Sequence, residues 1–193
     1  MFWKAVCDNL GTIIGVVGSL AGGIIGWWLN NLSRGGSISI FPQNGVYSEF
    51  LNEEGFPAVS LDLAKTFNYK ISLDIYNSSS DTKIMRCVEV VFFNDKKEMY
   101  TTTPYDKANK KIIDKKLPLP PVHNKVELIN VPAKHAVTVH LYGWVGKENL
   151  KQVHKSTSVY LRFKDEKDKC QLRLIEKKDY SQYAFYQGEE NDP

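Results

Sequence analysis

The chain has 193 residues, room for one ordinary domain plus an appendage. Hydrophobic residues make up 42% and charged residues 24%, as in globular proteins generally, and a net charge of +3 is too nearly balanced to argue for a nucleic-acid partner. Ten Tyr and nine Phe favour β structure around a sizeable core.

Residues 1–9 form a short N-terminal tail. The run Leu10–Leu29, "LGTIIGVVGSLAGGIIGWWL", carries no charge. As a helix its 20 residues reach about 30 Å, the thickness of a hydrocarbon core. Phe2 and Trp3 before it, and Trp27 and Trp28 at its end, read as two interfacial belts. These features predict an uncleaved single-pass signal anchor in a lipid bilayer. A cleaved signal peptide is the weaker reading, because Ser19-Leu20-Ala21 looks like a cleavage site but the apolar run continues past it. A soluble core helix is weaker still with this many glycines.

Gly11, Gly15, Gly18, Gly22 and Gly26 are spaced 4, 3, 4 and 4, which lines one helix face, with Ser19 beside them. Such a stripe lets a second helix approach closely, so a glycine zipper is expected, through self-association or with another membrane helix. Lys4 and Arg34 nearly tie in the positive-inside count, and Asp8 tips the domain after the span towards the cytoplasm. Residues 30–36 form a linker.

From Ser37 the period becomes two. "SISIFP" begins a short strand ending at Pro42. "TFNYKISLDIYN" alternates Phe67, Tyr69, Ile71, Leu73 and Ile75 with polar residues. "NSSSD" supplies a turn, "KIMRCVEVVFFN" a central strand, and "EMYTTT" a strand stopped by Pro104. The lysine-rich "DKANKKIIDKKLPLPP" reads as a long loop or edge strand. "KVELINV", "AVTVHLYGWV", "STSVYLRF" and "CQLRLIE" complete the set. In the second of these, Val137, Val139, Leu141 and Val145 face inward, while Thr138, His140, Tyr142 and Trp144 face outward. The expected fold is mainly β: an antiparallel β-sandwich over 37–178, resembling immunoglobulin-like sandwiches in general architecture but without a family motif. The tail 179–193 is aromatic, then acidic. Its Tyr180, Tyr183, Phe185 and Tyr186 either dock back on the domain or form a partner-binding strand.

Cys87 and Cys170 sit in strand-like segments and read first as two buried thiols, with a disulfide between them as the alternative. "NSS" at Asn77 matches a glycosylation acceptor. No CxxC, HExxH, GxSxG or phosphate-binding loop occurs, and His123, His135, His140 and His154 are scattered, so neither catalytic nor metal-binding residues nor a cofactor are expected. The expected function is a membrane-anchored partner-binding, sensing or assembly module whose β domain binds a protein. Tyr142 and Trp144 form the candidate partner or ligand face, open also to carbohydrate or lipid. The rivals are a membrane-perturbing effector whose helices oligomerise on a trigger, and an enzyme whose site forms only in three dimensions.

Overall fold

The computed structural model describes residues 10–111 and 122–185; Phe2, Trp3, Tyr186 and most of the lysine- and proline-rich segment lie outside them. Helix α1 spans Leu10–Arg34. The strands follow: β1 Ile38–Leu51, β2 Thr66–Asn77, β3 Lys83–Asn94, β4 Lys97–Thr102, β5 Tyr105–Lys111, β6 Val122–Lys125, β7 Leu128–Val131 and β8 Ala136–Gly146. A short helix α2, Leu150–His154, precedes β9 Ser158–Lys164 and β10 Cys170–Lys177.

Two antiparallel sheets result. Sheet A has the order β1-β2-β8-β5-β6. Sheet B has the order β10-β9-β3-β4, with β7 pairing β3 beside β4. Alternation in sequence places the inner faces against each other, as expected for two packed sheets. Sheet A contributes Phe50, Phe67, Tyr69, Ile71, Leu73, Ile75, Leu141 and Val145. Sheet B contributes Met85, Val88, Val90, Phe92, Val159, Leu161 and Phe163. All are at most 2% exposed. Their aromatic rings meet edge-on, Phe67 to Phe92 at 5.8 Å and Tyr69 to Phe92 at 5.8 Å, geometry that aromatic quadrupoles favour.

Pro42 does not end β1. The strand runs through it to Leu51, with a register shift between Pro42 and Val46. Proline is tolerated there because β1 is an edge strand and the missing N–H falls at a bulge. Gly45 sits at φ +69 within that bulge.

The turn after β2 is closed by Asn77. Its buried Nδ2 donates to the carbonyls of Asp81 (2.8 Å), Val131 (3.0 Å) and Pro132 (3.2 Å), and its Oδ1 accepts from the Ser79 amide (2.9 Å) and hydroxyl (2.7 Å). An amide with every bonding direction used inside the fold is no acceptor for a glycan. The glycosylation reading of "NSS" is therefore withdrawn.

The membrane reading is overturned as well. Among the described residues no helix is long and apolar enough to cross a membrane. Length is not what fails, since α1 has 25 residues. Over the described residues its glycines bring no apolar side chain, and its later turns carry Asn30 and Asn31. The transmembrane helix, the signal anchor, the single-pass placement and the cytoplasmic orientation derived from it fall together. The glycine zipper falls with them. Within this one chain a Cβ at Gly15, Gly18, Gly22 or Gly26 would meet nothing within 4 Å, so no other described element packs on that face, and the Ser19 hydroxyl donates back to the Gly15 carbonyl at 2.8 Å. Trp27 and Trp28 are 68% and 55% exposed. The helix runs on through the expected linker to Arg34.

One close approach sets the spacing within sheet A. Tyr69 on β2 lies directly opposite Gly143 on β8. A Cβ at 143 would collide with the Tyr69 hydroxyl and stand 2.6 Å from Cζ and 2.8 Å from Cε1. The ring is held by the core and has no room to yield, so Gly143→Ala is expected to lower stability by about 2 kcal/mol. Thermal unfolding followed by circular dichroism would show a fall in Tm of roughly 4–8 °C. An unchanged Tm would show that the ring is free to move.

Candidate functional site

The outer face of sheet A presents the side chains left over by the inward alternation. Register aligns them in rows. Tyr47, Lys70, Tyr142 and Tyr105 cross β1, β2, β8 and β5 in one row, and Glu49, Asn68 and Trp144 form the next. Tyr105 stacks on Trp144 with centroids 4.8 Å apart and an interplanar angle of 8°, and it meets Tyr142 at 5.7 Å. Trp144 remains 50% exposed and Tyr47 58% exposed. Lys70 Nζ lies 5.3 Å from the centre of the Tyr47 ring, within cation–π range, and the Tyr47 hydroxyl donates to Glu49 at 3.2 Å. The charge of Glu49 holds the Tyr47 hydroxyl above the ordinary phenol range.

Beside the aromatic rows lies a shallow cleft of about 380 Å³ lined by Lys70, Ser72, His140 and Tyr142. Ser72 Oγ and His140 Nδ1 are 2.9 Å apart, which orients the imidazole on the open sheet. Asp74 accepts from Thr138 Oγ1 at 2.6 Å and Gln43 Nε2 at 3.0 Å, and these bonds hold its carboxyl below the usual range.

The outer face of sheet B differs. Arg162 ties three strands together: Nε donates to Glu89 at 2.8 Å, Nη1 to Glu98 at 2.8 Å, and Nη2 to Thr101 at 3.3 Å. Its polar groups are spent within the sheet, and Leu172 and Leu174 at its β10 edge are 42% and 44% exposed.

Tyr142 and Trp144, expected to share a face, do so. Tyr105, Tyr47 and Lys70 join them and were not legible. Tyr105 reaches the site because the chain crosses from sheet B to sheet A at the buried Pro104 and pairs with β8, a contact 37 residues apart in sequence (Tyr105 with Tyr142). Only the half of β1 beyond Pro42 brings Tyr47 in. Cys87 and Cys170 are exposed free thiols, neither the expected buried pair nor the alternative disulfide. Arg86 on β3 and Cys170 on β10 both face Lys164, on opposite sides of β9. Two inter-strand spacings of about 4.8 Å separate the outer strands, beyond disulfide reach. Cys87 itself sits in a bulge at φ +51. Among the described residues no group of three or more His, Cys, Asp or Glu could hold a metal ion.

A family model of the YopI Ig-like domain matches residues 41–176. The chain belongs to the YopI Ig-like domain family. The match ends inside β10, so it takes in nearly all of the two sheets and leaves out α1. The chain is also similar to the SPbeta prophage-derived uncharacterized protein YopI of Bacillus subtilis (strain 168). They are 27% identical over 170 residues, which cover 84% of this chain and 94% of that protein. Among solved structures, the ApaA protein of Bordetella pertussis aligns over 73% of this chain and 89% of its own, at 5% identity and a TM-score of 0.35.

Behind the YopI Ig-like domain, the start of the C-terminal tail docks on the core. Tyr180 is fully buried against Phe67 and Phe92, at 5.5 and 6.0 Å. Tyr183 and Phe185 pack on Phe50 at 4.9 and 5.4 Å. His154 closes this cluster, 6.0 Å from both Phe50 and Phe185. Burial against these rings lowers its pKa below the ordinary 6.5, with Asp179 opposing. The neutral imidazole therefore supports tail docking above about pH 6.5, and this support is lost as pH falls through the lowered folded value. A proton NMR titration is expected to place His154 below 6.5, with Tyr183 and Phe185 resonances shifting in the same step. A midpoint at or above 6.5 would mean that Asp179 dominates.

Proposed function

We propose that the domain is a protein-binding module whose docking surface is the outer face of sheet A, and that this binding serves an adaptor or assembly role. The observation that carries the reading is the Tyr105–Trp144 stack, standing half exposed on a rigid four-strand platform. Trp and Tyr are the side chains that supply most of the energy in protein interfaces. They bury a large area for little lost rotamer freedom. Asn68, Lys70 and Glu49 around them supply the polar rim that fixes orientation. Trp144 is the natural anchor, since it is half exposed and has one ring face already supported by Tyr105.

An alternative ligand is a sugar ring stacked on Trp144. The breadth of the surface, four strands with charges of both signs, favours a protein over a single ring.

Site-specific photocrosslinking tests the proposal in cells producing the protein. A photoreactive phenylalanine in place of Tyr142 is expected to give one discrete protein adduct. The same group in place of Leu172, on the other sheet, is expected to give none. Trp144→Ala should remove the Tyr142 adduct by weakening binding about tenfold or more while leaving Tm unchanged, because the side chain is not in the core. Equal adducts from both positions, or an adduct indifferent to Trp144→Ala, would overturn the assignment.

A further inference from the structure

A second surface, independent of the aromatic face, lies where the free edges of the two sheets meet. β1 is the outermost strand of sheet A and β10 the outermost of sheet B. At one end they are held together. Glu176 Oε2 accepts from the Val46 amide at 2.9 Å, and Lys178 Nζ reaches Ser48 Oγ at 3.0 Å. Towards the end where α1 leaves the domain they part. A cleft of about 360 Å³ opens there, reaching from Ile38 of β1 to Gln171 and Arg173 of β10.

The cleft has an apolar floor and basic walls. Phe163 is buried at its base, with Ile38 partly buried beside it. Its acids are already engaged. Glu166 pairs with Lys83. Asp165 accepts from the amides of Lys167 (2.9 Å) and Lys169 (3.0 Å) and from Gln171 Nε2 (3.3 Å). The exposed Lys167 and Arg173 form no ion pair among the described residues, and Lys169 adds a third exposed cation. Along the outer side of β10, Cys170–Leu174 has no partner strand among the described residues. Unpaired strand edges recruit extended chains through main-chain hydrogen bonds, and cations beside them select for carboxylates.

We propose that this cleft binds an extended acidic segment of a protein partner, which adds to the outer edge of β10 and sets its carboxylates against Lys167, Lys169 and Arg173. Two features go together in that assignment. The open edge supplies affinity that does not depend on side chains, and the three cations supply the preference for acidic sequence.

The probe is fluorescein-labelled octaglutamate, followed by fluorescence anisotropy with the full chain. Binding is expected, weakening as salt rises. The combined variant Lys167→Glu, Lys169→Glu, Arg173→Glu should lose about tenfold or more in affinity. All three side chains are exposed, and an unchanged Tm would show that the variant folds. Octaglutamate N-methylated at every internal amide keeps its charge but has no N–H on either edge to donate to a strand ladder, and it too should bind about tenfold or more weakly. Equal binding by the triple variant would overturn the site. Equal binding by the N-methylated peptide would overturn strand addition. Equally tight binding of a single-stranded oligothymidylate would show a general polyanion surface and overturn the peptide assignment. Trp144→Ala should leave octaglutamate binding unchanged, so failure here is separable from failure at the aromatic face.

Discussion

The contact between Tyr69 and Gly143 is the constraint on which the platform of sheet A rests. The phenol ring of β2 lies across the strand position where β8 has no side chain. Its hydroxyl is buried beside Thr102, and burial pushes its pKa well up, with Thr102 opposing. Burying a hydroxyl carries a desolvation cost, which the ring offsets through its packing on Phe92. The neighbours of Gly143 in sequence are Tyr142 and Trp144. The glycine that admits Tyr69 to the core therefore sits between the two side chains that β8 turns outward. Inner packing and outer display are two sides of one strand.

The two outer faces show what that display means. On sheet B the guanidinium of Arg162 is consumed by Glu89, Glu98 and Thr101, and the face is braced from within. Each carboxylate there has a cation, and little hydrogen-bonding capacity remains for a ligand. On sheet A the exposed groups are aromatic rings supported by one another, with polar side chains around them. Groups mounted on strands keep their positions better than groups mounted on loops, which suits a surface that recognises a partner without rearranging.

The legible part of the fold was the part governed by local periodicity. The alternation in Phe67–Ile75 and Val137–Val145 marks inner and outer faces without knowledge of what each strand pairs with. Tyr142 and Trp144 could therefore be placed together on the outside. Pro42 was misleading because the rule that proline stops a strand is weaker at an edge, and edge position is a property of the sheet. Cys87 and Cys170 were misleading for a related reason. Both stand in strands, but β9 runs between those strands, and no local pattern reports which strand intervenes. The glycine-rich run shows how one composition serves two readings. Its spacing describes a smooth helix face, while the same glycines dilute the apolar character that a membrane span requires.

Sequence by itself determined which residues lie on which side of β2 and β8, because side chains alternate with a period of two whatever the strand's neighbours are, whereas the apolar Leu172 and Leu174 of β10 stand on the exposed face. It also determined that the chain changes from helix to strand near Ser37. Tertiary structure alone decided the strand order, and with it the arrival of Tyr105 beside Trp144, the meeting of β1 and β10 and the separation of the two thiols. Those contacts join residues far apart in the chain. Their energies depend on burial and register across the whole sandwich, and no local window of sequence contains them.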